Sequence, residues 1–258
     1  MHLDLIVTLF ALGFIGSFLS GMLGIGGAII NFPLLLYVPA LLGVGQLSAH
    51  EVAGISAVQV LFGTIGGVMA YRKTGLLNKS LIIVMGISIL IGSLLGGLGS
   101  SHLPESAINL VYGILALLAV LLMFVPKKGI DDVQLDQVRF HKVLAAAFSF
   151  VVGIGAGIVG AGGAFMLVPI MLVILRIPTR MTIASSLAIT LISSVGSVLG
   201  KVTTGQVSYL PALVLVIASL LASPIGAQIG KKMNTKVLQV LMGLLILLTA
   251  IKTWISIL

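Results

Sequence analysis

The chain has 258 residues, of which 59% are hydrophobic and only 8% charged, with a mean hydropathy of +1.28. A soluble domain carries about a quarter charged residues, so this composition excludes a water-exposed surface and reads as an integral membrane protein. The net charge of +8 fits lysines and arginines flanking membrane spans rather than a nucleic-acid surface, and the absence of cysteine excludes disulfides, thiolate metal sites and persulfide relays.

In chain order, the first element is a long apolar run over residues 3–42, interrupted at 21–33 by GMLGIGGAIINFP. Its start, MHLDLIVTLFALGF, has no positively charged leader and no small-residue cleavage site, so it reads as a membrane segment rather than a signal peptide. Crossing a bilayer takes about 20 apolar residues, and residues 52–71, 80–100 and 106–125 supply three such stretches. PKKGIDDVQLDQVRFHK, residues 126–142, is the strongly polar segment and reads as a connecting loop. A second interrupted run covers 143–175 and contains GIVGAGGAFMLVP at 157–169; spans at 182–201, 208–229 and 236–257 follow.

The halves repeat one another. Aligning 21–36 with 157–172, an offset of 136, gives seven identities in sixteen, including Gly24/Gly160, Gly26/Gly162, Gly27/Gly163, Ala28/Ala164 and Pro33/Pro169. Further on the offset settles at 130 and pairs Ser56 with Ser186, Gly66 with Gly196, Ser93 with Ser223 and Gly96 with Gly226. The domains expected are therefore a first repeat at 1–125, a cytoplasmic linker at 126–142 and a second repeat at 143–258.

Basic residues set the orientation. With the loops holding Arg72, Lys73 and Lys79, the linker, Arg176 with Arg180, and Lys231 to Lys236 on the cytoplasmic side, 12 of the 14 lysines and arginines lie inside, all but Lys201 and Lys252. Residues 3–42 must then enter and return from outside, and 143–175 from inside. The fold class expected is an all-α integral membrane protein of two inverted-topology repeats, each a glycine-containing broken or re-entrant hairpin plus three transmembrane helices, with both termini outside. Arms of 143–156 and 164–175 span roughly 20 Å each, which puts the glycine turns inside a ~30 Å core.

Irregular backbone at membrane depth is tolerated where it is buried in protein or lines a cavity, and two inverted broken segments are a common construction of a substrate site in secondary transporters. Amides at Gly26, Gly27, Ala28 and at Gly162, Gly163, Ala164, each opening a helical arm, would offer partial positive charge to an anion; close helix packing is the competing use of these glycines. On 52–71, Ser56, Gln59, Gly63, Gly67 and Ala70 share a face, and on 182–201 Ser186, Thr190, Ser193, Ser197 and Gly200 do likewise. These stripes suit a pathway and a packing seam equally. Asn31 and Gln59 are more pointed, because their repeat partners are Leu167 and Ile189; both are good donors to an oxyanion.

All six acids lie at ends or in loops, so the usual mid-span carboxylate of a proton relay or cation site is missing. The four histidines are scattered without metalloenzyme spacing, so no catalytic residues, no metal and no cofactor are expected. His50-Glu51 reads as a helix cap, with gating or proton carriage as the alternative. Gly155-x-Gly157-x-x-Gly160 lacks a surrounding βαβ unit and is not a dinucleotide site. Gly92-x-x-x-Gly96 and Gly226-x-x-x-Gly230 match the helix-packing motif and suit either a homodimer or packing within the bundle.

Gly24-Ile25-Gly26-Gly27 with Pro33, and Gly160-Ala161-Gly162-Gly163 with Pro169, resemble the TauE/SafE sulfite exporter family, and the likeness covers nearly the whole chain. Ala28 and Ala164 stand where many members have a third consecutive glycine. The resemblance implies an inner-membrane transporter of sulfite or small sulfonate-type anions, with the glycine turns near the substrate. The partners expected are thus a small anionic substrate, the lipid bilayer and a coupling ion, proton or sodium, with no nucleic acid. A passive anion channel is the alternative.

Overall fold

The computed structural model describes residues 3–25, 28–123, 125 and 138–257. Gly26, Gly27 and most of the polar linker, 126–137, lie outside the described residues. Among the described residues ten α-helices follow in order: α1 (Leu3–Leu23), α2 (Ala28–Leu41), α3 (Ala49–Tyr71), α4 (Lys79–Gly99), α5 (Glu105–Met123), α6 (Lys142–Val159), α7 (Ala164–Pro169), α8 (Thr179–Thr203), α9 (Tyr209–Lys232) and α10 (Thr235–Ile257). No strand occurs among the described residues.

Local chemistry sets several of these boundaries. Ser48 and Glu51 form a capping box at the start of α3, so Glu51 is a capping group there. Asn78 accepts from Leu81 N–H to open α4, and His141 does the same for Leu144 at α6. Proline lacks an N–H and cannot continue the i→i−4 ladder; directly after Pro169, Ile170–Ile174 widens into a π-helical turn.

Among the described residues seven helices (α1, α3, α4, α5, α6, α8 and α9) are long and apolar enough to cross a membrane. The six spans read from the sequence all appear as helices, but the hairpins differ from expectation. Each has one full-length arm and one short one: α1 has 21 residues and α2 has 14, while α6 runs on to Val159 for 18 residues and its return over Ala164–Ile174 is short. The second hairpin's first arm therefore spans roughly 27 Å. Gly153 and Gly157 do not stop it, because their flat surface lets α4 approach: a β-carbon at Gly153 or Gly157 would overlap the backbone of Ile89 or Ser93.

α3 and α8 form the centre. Their apolar spans are 67% and 72% buried, against no more than 50% for the other five. Around them α1 packs on α9, α4 on α6 and α8, α9 on α3, and α5 on α10. The glycine pairs serve these contacts: β-carbons at Gly92 and Gly96 would overlap Phe150 and Ile154 of α6, and at Gly226 and Gly230, Phe18 and Met22 of α1. Both motifs are therefore used inside the bundle. The outer helices turn apolar stripes outward, with Ile83, Ile87, Ile91 and Leu95 exposed on α4 and Leu213, Ile217, Leu221 and Ile225 on α9. Spaced four apart, each set covers one helix face and meets lipid in a membrane protein.

Candidate functional site

The two hairpin turns are pressed against the central helices. α1 ends at Gly24 with φ +71° and α6 at Gly160 with φ +75°, the left-handed conformation that reverses a chain after a helix. A β-carbon at Gly24 would overlap Ile183 on α8, and one at Gly160 would overlap the Ala53 carbonyl on α3. Ile183 and Ala53 are 130 residues apart, the offset of the repeat, so each turn rests on the matching place of the other half's central helix. After Gly160, Gly162 and Gly163 also have positive φ, and α7 begins at Ala164 with no side-chain cap. Met166 and Leu167 N–H both bond to Gly163 O, at 3.0 and 2.9 Å, and the amides before them have no intrahelical acceptor.

Asn31, Ser56, Gln59, Ser186 and Thr190 are all buried, at 1% exposure or less. Gln59 Nε2 donates to Gly13 O at 3.2 Å and to Ser17 Oγ at 3.0 Å, both on α1, while its Oε1 has no partner. Because a carbonyl only accepts, Gly13 fixes the amide's orientation. Gln59 therefore offers an acceptor to the interior, and the donor anticipated from sequence is already engaged. Asn31 lies against Gly16, where a β-carbon would overlap its amide, and its Oδ1 is unpartnered. Gly13, Gly16 and Ser17 share a face of α1, so both amides bear on one surface. Ser186 Oγ donates to Gly24 O at 2.8 Å and Ile183 O at 3.0 Å, while Ser56 Oγ has no partner. Thr190 Oγ1 and Ser193 Oγ are also buried without partners.

The second turn reaches the same helices. A β-carbon on Gly162 would lie 2.6 Å from Thr190 Cγ2 and 2.7 Å from Val60 Cγ1, which puts this glycine between α3 and α8. Gly163 instead faces Ala156, Ile89 and Val152, an apolar setting, and Ala164 is fully buried. The small-residue stripes divide along their length. Gly63, Gly66 and Gly67 lie against Ser219, Ser223, Pro224 and Leu187, with Ser223 Oγ donating to Gly63 O at 2.6 Å, so this part of α3 is a packing seam. Gly196 and Gly200 pack on α4 in the same way. The other parts hold unpartnered atoms at Ser56, Gln59, Thr190 and Ser193; Asn109 Oδ1 on α5 and Ser149 Oγ on α6 are buried without partners too.

Two features were missed from sequence. Phe32 of α2 stacks on Tyr112 of α5 with ring centroids 4.9 Å apart, and Phe165 of α7 lies 6.3 Å from the same tyrosine. This aromatic row joins the two short arms; isolated aromatics in apolar helices carry no periodic signal. At one end of the bundle Arg180 donates to Lys231 O and Met233 O at 2.7 and 3.0 Å, capping α9, and Lys231 sits 4.9 Å over the Tyr71 ring while donating to Ala70 O. Among the described residues no group of three or more His, Asp or Glu could hold a metal ion.

In sequence, residues 9–253 match the sulfite exporter TauE/SafE family. The chain belongs to the TauE/SafE family. Similar proteins include the probable membrane transporter protein YunE of Bacillus subtilis, 27% identical over 258 residues and 94% of each chain. A probable membrane transporter protein of Xylella fastidiosa is 30% identical over 185 residues, 71% of this chain and 69% of the relative. One from Methanocaldococcus jannaschii is 25% identical over 249 residues, 93% and 91% of the two chains. No solved structure matches. As a TauE/SafE member with seven long apolar helices, the protein is a multi-pass membrane transporter.

Proposed function

We propose that this transporter moves a small oxyanion, sulfite or a small sulfonate, by alternating access between two inverted halves. The observation that carries the reading is the set of buried, unpartnered polar atoms drawn from both halves: Asn31 Oδ1, Ser56 Oγ and Gln59 Oε1 from the first, Thr190 Oγ1 and Ser193 Oγ from the second. A buried polar group without a partner costs free energy, and a polar substrate that passes between α3 and α8 supplies the missing bonds. The hydroxyls of Ser56, Thr190 and Ser193 rotate to donate to an oxyanion, and the amides at the starts of α2 and α7, that of Ala28 and those from Gly162 to Ala164, add partial positive charge. The two amide oxygens accept, which suits a coupling cation, sodium or a proton carried on the anion.

Inverted halves are supported by the way contacts recur in matched pairs. α1 with α9 answers α6 with α4, α3 with α9 answers α8 with α4, and α2 with α10 answers α7 with α5. The basic loops favour a cytoplasmic linker and external termini in the inner membrane. The test is flux through purified protein in liposomes loaded with sulfite, with sulfite, sulfate, a small sulfonate or acetate offered outside. Saturable, selective exchange of sulfite or sulfonate is expected; no exchange by folded protein would overturn the anion reading, and large single-channel currents would mark a passive channel instead.

A further inference from the structure

Lys201 is the one charged side chain that is fully buried among the described residues, at 0% exposure. It lies in the last turn of α8, 21 residues from Arg180 and so roughly 30 Å along the helix from it. The residue in the matching place of the first half is Tyr71, so the repeat does not call for a lysine here. Its Nζ donates to Ser100 Oγ at 3.1 Å and to Gln206 Oε1 at 3.2 Å, both neutral. The two acids near this end are engaged elsewhere. Glu51 accepts from Ser48 N–H and Ser208 Oγ, and Glu105 accepts from Ala49 N–H.

Polar groups converge here. Gln206 Oε1 lies within reach of Lys201 Nζ, of Ser100 Oγ at 3.0 Å and of His50 Nδ1 at 3.4 Å, while the single Ser100 hydroxyl proton also has Gly97 O at 2.8 Å as an acceptor. The amide's orientation is fixed, because Gln206 Nε2 donates to Thr204 Oγ1 at 2.6 Å and to Gly97 O at 3.5 Å. His50 Nε2 faces the acceptor Leu103 O at 3.1 Å. An ammonium has three N–H donors, and Lys201 has two acceptors. A buried cation is stable only when an opposite charge and further acceptors accompany it, and a small oxyanion supplies both.

We infer that Lys201, Ser100, Gln206 and His50 form a second oxyanion-binding site, at the end of the central helix pair away from Arg180. The inference rests on the anion reading above for the class of ligand, but on none of the residues assigned to the central site. Contributors come from both halves: His50 opens α3, Ser100 follows α4, and Lys201 ends α8. An anion leaving or approaching the centre would thus meet the Lys201 amine at this mouth.

The experiment follows the thermal unfolding midpoint of the purified full chain against increasing sulfite or methanesulfonate, with chloride and gluconate at matched ionic strength as controls. The wild-type midpoint rises with either oxyanion and not with the controls. Lys201→Met, an apolar replacement that buried sites often accept, raises the half-saturating concentration at least about tenfold, the effect of losing one charged hydrogen bond. Gln206→Glu, nearly the same shape, places a carboxylate beside Lys201 and weakens the anion response as Lys201→Met does, to what the central site alone gives. An unchanged response in both variants, or none in the wild type, overturns the site. Gly162→Leu separates the two readings: flux lost with the oxyanion response retained upholds both, whereas normal flux with the response retained defeats the central glycine site alone.

Discussion

Ser186 Oγ donates to the carbonyl oxygen of Gly24 at 2.8 Å and so ties α8 to the turn that ends α1. Ser56, its repeat partner on α3, makes no such bond to the other turn. Ser186→Ala leaves the buried Gly24 carbonyl short of a donor and is expected to cost about 1–3 kcal/mol of stability. Ser56→Ala removes an already unpartnered hydroxyl, so stability holds or rises slightly while flux falls. Thermal unfolding and liposome flux on the two variants check this; equal loss of stability in both would make Ser56 a packing residue.

Gln59 gives a second contrast, because its two ends do different things. Gln59→Leu removes the donor to Gly13 O and Ser17 Oγ, which lowers stability by about 1–3 kcal/mol. Gln59→Glu keeps an oxygen facing the interior but sets a second one against the Gly13 carbonyl. Both should lower flux, and Ser17→Ala should lower stability by only about 1 kcal/mol with flux preserved, since Gly13 still holds the amide. Wild-type flux in Gln59→Leu would remove this residue from the pathway.

Much of this arrangement was legible in the sequence because lipid makes simple demands. Each apolar stretch between 52–71 and 236–257 had to satisfy its own backbone bonds, so each became a helix. The glycine clusters marked the turns because left-handed backbone at Gly24 and Gly160 is costly for other residues. The length of α6 was misread, since Gly157 looks like a breaker in sequence but faces the α4 backbone at Ser93 in space. Which end of Gln59 is free, and that Lys201 is buried with His50 and Ser100, depend on residues 42 to 156 positions apart. No local pattern carries that information.

The glycine pairs on α4 and α9 predict a failure of assembly rather than of transport. A β-carbon at Gly96 would overlap the Ile154 carbonyl, and the neighbour is backbone, which cannot rotate away. Gly96→Val is therefore expected to cost more than the about 1–3 kcal/mol of ordinary overpacking. Gly99→Val, three residues on with nothing within 4 Å, should be tolerated. Yield of folded protein from membranes distinguishes the two; normal yield of Gly96→Val would contradict the packing of α4 on α6.

Gly162 and Gly205 share nearly the same backbone, φ +64° and +71°, but not the same surroundings. At Gly205 a β-carbon meets nothing within 4 Å, so Gly205→Ala costs the left-handed strain alone, about 1–2 kcal/mol. At Gly162 the same atom meets Thr190 and Val60 at 2.6 and 2.7 Å, and Thr190 carries one of the unpartnered hydroxyls. Gly162→Ala must push the turn away from α8 or turn the threonine, and either shift disturbs the place where the second half meets the substrate. Both variants carry the common strain and Gly162→Ala adds about 1–3 kcal/mol of overpacking, so its thermal midpoint is the lower, while flux per folded protein falls at least tenfold in Gly162→Ala and stays near wild type in Gly205→Ala, the tenfold loss corresponding to about 1.4 kcal/mol in the transport barrier. Equal flux in the two would mean that the glycine turn serves chain reversal only.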